Sequence, residues 1–156
     1  MELSGAAGIF FSAHIGRMRH LDPAFALRGA SEAFRVVTAA DALDLIGHGL
    51  AEARFEILRL AHLSRAGEVI LIEDQPGGQS MLKIAPGQIL RRACLLGTQR
   101  LLIAHNHPSG DPAPSRADRV ATRELAELLR AADIALVDHM IFAREGVTSF
   151  RALGLL

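Results

Sequence analysis

One cysteine, Cys94, is the only thiol in this 156-residue chain. An intrachain disulfide framework and a four-thiolate metal site are thereby excluded, and a reducing, cytoplasmic setting fits. Charge of one sign is missing too, since 17 Lys and Arg stand against 17 Asp and Glu. Such a balance gives no general pull toward nucleic acid or anionic lipid, and either partner would need a local patch. No apolar stretch approaches the ~20 residues that a membrane-spanning helix requires, so a soluble protein with no membrane partner is expected. Residues 3–13 are partly apolar, but Glu2 precedes them and Arg17 and Arg19 follow. That order reverses the charge pattern of a secretory signal, and no cleaved leader is expected. Internal repeats and low-complexity segments are likewise lacking.

What is present is a chain about the size of one domain, half of it apolar, enough to bury a sizeable core. Asp22-Pro23 places a capping carboxylate before a proline at the first helical position, which predicts a short helix to about Arg35. Thr38 and Asp41 have the spacing of a capping box, and Leu43, Ile46 and Leu50 predict a second helix ending near Leu50. Residues 54–60 alternate charged and apolar, and residues 68–73 are rich in β-branched types. Two strands joined by a turn at residues 64–67 are expected, as a hairpin. Pro76-Gly77-Gly78 marks a loop, residues 81–84 a short strand, and Pro86 the start of a helix with Ile89, Leu90, Ala93 and Leu96 on one face, stopped by Gly97. A buried strand over residues 100–104, a proline-rich loop over 108–114 and a long amphipathic helix over 115–132 come next. Late strands are predicted at 134–137 and 140–143. The order reads as a mixed α/β fold.

Residues 105–118 run His-Asn-His-Pro-Ser-Gly-Asp-Pro-Ala-Pro-Ser-Arg-Ala-Asp. Alternate side chains of a strand share a face, so His105 and His107 can present two imidazoles to one point. Neutral imidazoles suit zinc or another borderline metal. If the loop folds back, Asp118 in the first turn of the next helix adds a carboxylate, and three protein ligands leave a fourth position for water. Taken alone, His-x-His could simply end a strand, and Ser115 with Asp118 reads equally as a capping box. The two readings of Ser115 and Asp118 are compatible.

As a whole string, His105-Asn106-His107 followed by a loop with proline and glycine and then Ser115-Arg116-Ala117-Asp118 resembles the JAMM (MPN+) metallopeptidase signature. The form His-Asn-His-Pro-Ser-Gly-Asp-Pro, with Pro114-Ser115, is similar to the bacterial RadC-like JAB branch. Asp138-His139 and the run from Ser149 to Leu156 echo it as well, and the similarity spans about residues 50–156. The resemblance implies a JAB/MPN architecture, cytidine-deaminase-like, with a mixed β-sheet flanked by helices, over residues 51–156. It further implies zinc held by His105, His107 and Asp118, a glutamate as general base on the zinc-bound water, and Ser115 stabilising the developing oxyanion. An amide in an extended protein or peptide tail is then the natural substrate.

The family's glutamate commonly stands two residues before the equivalent of Phe55, where this chain has Ala53. Glu52, one residue away at the end of the predicted helix, is the preferred base. Glu56 inside the strand and a missing base are the alternatives. In the last case the domain would be a metal-binding but catalytically weak module for protein or DNA contact, in line with the family's association with DNA repair. RadC-like proteins often carry a helix-hairpin-helix region. Residues 1–50 show no such motif and are read as a helical extension packed on the domain.

Other polar residues receive lesser roles. Cys94, between apolar neighbours on a predicted helix, is expected to be buried and inert. Asp138-His139 either orients a metal ligand or makes a structural hydrogen bond. His14, His20, His48 and His62 lack ligand spacing. Arg91, Arg92, Arg116, Arg119, Arg123 and Arg130 read as a solvated, ion-paired face alongside Glu124 and Glu127.

Overall fold

In the computed structural model, residues 34–76 and 86–156 are described; the helix expected before Arg35, the Gly77-Gly78 loop and the short strand at 81–84 lie outside them. The elements follow in the order α1 (Ala39–Gly47), β1 (Ile57–Leu63), β2 (Val69–Pro76), α2 (Pro86–Leu95), β3 (Arg100–Asn106), α3 (Arg116–Ala131), β4 (Ala135–Ala143) and β5 (Gly146–Ser149). The strands form one mixed sheet in the order β2-β1-β3-β4-β5, with only the β3–β4 pair parallel. Parallel neighbours need a crossover, and α3 supplies it.

Period-two alternation gives the sheet its two faces. Leu58, Leu60, Leu101 and Ile103 point to one side, where they pack with Ile89 and Ala93 of α2 and Ala121, Leu125 and Leu129 of α3. On the other side lies α1, whose capping box is present in full: Thr38 Oγ1 accepts from the Asp41 amide and Asp41 accepts from the Thr38 amide. Arg59 of β1 reaches this helix and donates to the carbonyls of Ile46 and His48 at 3.0 and 2.7 Å. These are orphan acceptors at a helix end. The same guanidinium forks onto Asp74 of β2 at 2.6 and 2.8 Å. The last helical residue, Gly47, lies so close to Phe142 of β4 that a Cβ would stand 2.5 Å from the ring.

Strand limits depart from expectation in three places. β1 begins at Ile57 rather than at residue 54, because the backbone just before it bonds to the Asn106 side chain instead of to a strand: the Asn106 amide donates to the carbonyls of Ala53 and Phe55 and its oxygen accepts from the Ile57 amide. β4 is continuous where two pieces were expected. The polar pair Asp138-His139 interrupts its apolar run, yet both side chains are buried with hydrogen-bond partners. β5, which follows β4 by a tight turn at Arg144-Glu145, was not foreseen; its four residues carry no alternating apolar signal.

Candidate metal centre

His105 sits on the last turn of the β3 pleat, on the face that packs against α3. His107 follows it past the strand end, where its amide donates to the Phe142 carbonyl at 2.9 Å. Asp118 is held by the helix start: its amide donates to Ser115 Oγ at 3.1 Å, and its Oδ2 accepts from the Ser115 amide and hydroxyl at 2.8 and 2.6 Å. A cap of this kind contributes ~1 kcal/mol to helix stability. Here it also fixes a carboxylate opposite two imidazoles. His105 Nε2 and His107 Nε2 are 2.9 Å apart, and each lies 3.5 Å from an Asp118 oxygen.

Hydrogen bonds behind the ligands set their tautomers. Thr122 Oγ1 spends its one proton on the Asp118 carbonyl at 2.6 Å and must therefore accept from His139 Nδ1, 2.7 Å away. His139 Nε2 is then an acceptor and takes the proton of His105 Nδ1 at 2.8 Å. His107 Nδ1 donates to the Asp111 carbonyl at 2.8 Å. Both rings consequently turn an unprotonated Nε2 toward the Asp118 carboxylate, the state in which imidazole binds metal. Two lone pairs and an anion at such separations call for a cation between them. Ligand atoms around four-coordinate zinc stand about 3.3 Å apart, close to the spacings here, so His105, His107 and Asp118 form a cluster that could hold a metal ion.

Electrostatics agree. Burial pushes His105 down to about 4, and burial with the neighbouring His105 holds His139 well below its usual value. The Asp118 hydrogen bond raises His107. Burial opposes the Asp118 charge, but hydrogen bonds from His107 and Ser115 outweigh it and keep the carboxyl well below the usual range. Burial also lowers His62, whose Nδ1 lies 2.8 Å from Thr98 Oγ1 and whose Nε2 lies 3.5 Å from Glu73.

A pH dependence follows. His62, His105 and His139 stay neutral in the fold but titrate near 6.5 once unfolded, so the unfolded chain takes up more protons below about pH 6.5 and stability falls with pH. His107 acts oppositely: its contribution is present below that value and is lost as pH rises through its raised folded value. Three groups outweigh one. The melting temperature of chelator-treated protein should drop between about pH 7 and about pH 5, and a flat or rising profile would refute the assignment.

The sequence did not point to Thr122 or Asn106. Thr122 lies one helical turn after Asp118 on the same face, a signal visible only once that face is known. Thr122→Val leaves His139 Nδ1 without its acceptor and should weaken zinc binding ~10- to 100-fold. Competition against a chromogenic chelator measures this, and unchanged affinity would remove Thr122 from the site. His139 orients a ligand, while its neighbour Asp138 has the structural role: Oδ1 accepts from the Arg151 amide, Oδ2 bonds the Ser149 hydroxyl, and the turn so fixed lays Phe150 on the His139 ring at 4.4 Å.

The two candidate bases differ in place. Glu52 is exposed in the turn after α1. Leu58 pairs with His105 in the β1–β3 register, and continuing that register by two residues brings half-buried Glu56 opposite His107 on the same face. The charge of Glu56 contributes to the raised pKa of His107. Ser115 is at the α3 N-cap with its hydroxyl on Asp118. Cys94 is exposed, contrary to expectation. The buried stripe of α2 runs through Ile89 and Ala93, and the next residue turns outward.

A mixed sheet flanked by helices, with a His-His-Asp cluster between a strand end and a helix start, defines an α/β domain of JAB/MPN type with a possible metal site. The chain belongs to the RadC-like JAB domain family, whose model matches residues 36–155. It is 38% identical over 117 residues to a UPF0758 protein of Symbiobacterium thermophilum, covering 67% of this chain and 50% of that protein. UPF0758 proteins of Rhodobacter capsulatus and Coxiella burnetii are 35% and 36% identical over 73% and 74% of this chain, and 54% and 52% of their own length. The chain thus spans about half the length of these relatives. Among the described residues no helix is long and apolar enough to cross a membrane.

Proposed function

We propose that this chain is a zinc-dependent hydrolase that cleaves an amide bond in an extended protein or peptide tail, as a peptidase or isopeptidase. The observation that carries the reading is the convergence of two unprotonated Nε2 atoms and one buried carboxylate, with the His107 side chain still 18% exposed on one side. Two imidazoles and a carboxylate form a zinc donor set, and three protein ligands with an accessible side are the pattern of a catalytic rather than a structural site. When bound, zinc would supply Lewis acidity that brings the pKa of a coordinated water toward ~7.

The protein's own groups do the rest. His105 is held in its binding tautomer by His139 and Thr122, and His107 by Asp111. Glu56, opposite His107 by strand register, is the base this reading assigns, taking the proton of the attacking water and returning it to the leaving amine. Glu52 remains the competitor to be tested against it. Once a cation shares the Asp118 carboxylate, the Ser115 hydroxyl is free to donate to the oxyanion.

The test is cleavage of a peptide library by the zinc-loaded protein, before and after a chelator. Cutting should stop on chelation and return with zinc. Cutting that survives thorough metal removal would refute the mechanism. A zinc-loaded protein that leaves every peptide intact would favour a metal-binding interaction module.

A further inference from the structure

At the end of the sheet away from His105, a cleft of about 360 Å³ opens between the β1–β2 turn, the start of β3 and the end of α3. Three arginines from these three elements line it: Arg65, Arg100 and Arg130. One carboxylate faces them. Asp133, with φ +57° the only non-glycine residue at positive φ among the described residues, is exposed and pairs with Arg65 at 3.3 Å. Arg130 also complements the negative end of the α3 dipole. Arg100 is half-buried and makes no ion pair among the described residues. Three guanidinium charges against one carboxylate leave two positive charges uncompensated in one concavity. Like charges brought together from separate elements repel unless an anion joins them.

We infer that this cleft binds a phosphate monoester. Two uncompensated charges match the ≈ −1.5 to −2 of such a group at neutral pH, and planar guanidinium forks match its terminal oxygens. Ile134, with the stem of Arg100, provides an apolar wall for the organic part of the ester. The volume falls in the ~300–1,000 Å³ range of small-molecule sites. The site is separate from the metal centre: Arg100 precedes His105 by about 17 Å along β3, and Arg130 follows Asp118 by about 18 Å along α3.

Calorimetric titration of the full, zinc-loaded chain with AMP at low ionic strength tests this, with inorganic phosphate as a second probe. AMP should bind saturably, at least about tenfold tighter than inorganic phosphate, and weaken with salt. Arg100→Gln should weaken AMP about tenfold or more, the loss of one charge-assisted hydrogen bond. Arg130→Gln, at an exposed helix end where no core contact is disturbed, should act in the same direction. Chelator-treated parent should bind AMP unchanged. Absence of saturable AMP binding, equal affinity for inorganic phosphate, full affinity in both arginine variants, or loss of binding on chelation would each overturn the assignment.

Discussion

Glu56→Gln is expected to keep the fold and the zinc while lowering the rate of amide cleavage by ~10² to 10⁴, the usual cost of removing a general base. The amide is nearly the same size as the carboxyl and can still hydrogen-bond, but it cannot accept the proton of the attacking water. The expectation rests on strand register. β1 and β3 are antiparallel with Leu58 opposite His105, which directs Glu56 to the face where His107 and Asp118 meet. Its charge acts on His107, whereas Glu52 is exposed in the preceding turn. Glu52→Gln should therefore retain most of the rate. Steady-state cleavage and zinc content of the two variants beside the parent decide the matter. A dead Glu52→Gln with an active Glu56→Gln would reverse the assignment.

Removing a ligand should have an effect of comparable size on the metal itself. His107→Ala and Asp118→Ala each delete one of three protein donors, and the purified variants should lose most of their zinc by elemental analysis. The two differ in side effects. Asp118 is also the N3 residue of the α3 capping box, so its loss should cost ~1 kcal/mol of stability besides. His107 is partly exposed, and its removal should leave the melting temperature of the metal-free protein nearly unchanged. His105→Ala opens a void in the buried chain of His139 and Thr122 and is the variant least able to separate metal loss from misfolding. Full zinc occupancy in His107→Ala and Asp118→Ala would dismiss the ligand set.

The metal cluster was legible in the sequence because its three residues lie in one string, and two local rules fix their directions: the two-residue period of a strand and the capping geometry of a helix start. α3 and α1 were legible for the same reason, since a capping box is local. What the string could not supply was register. Whether Glu56 faces the metal or turns away from it depends on how β1 pairs with β3 across some 45 residues, and period-two alternation changes face with a one-residue slip. Hence alternation with Phe55 and Ile57 favoured Glu52, while the paired strands favour Glu56. The partnership of His139 with His105 likewise arises from the parallel β3–β4 pairing, which contains a register shift between Leu101 and Leu102. Asn106 was only the middle letter of a motif until the fold showed it clamping the segment that carries Glu56.

The most direct measurement is zinc K-edge X-ray absorption on the protein loaded with one equivalent of zinc. The account predicts a four-coordinate shell of nitrogen and oxygen at ~2.0–2.1 Å with the outer scattering of two imidazoles and no sulfur. A sulfur contribution at ~2.3 Å, which would bring in the exposed Cys94, or an all-oxygen shell without imidazole would contradict it.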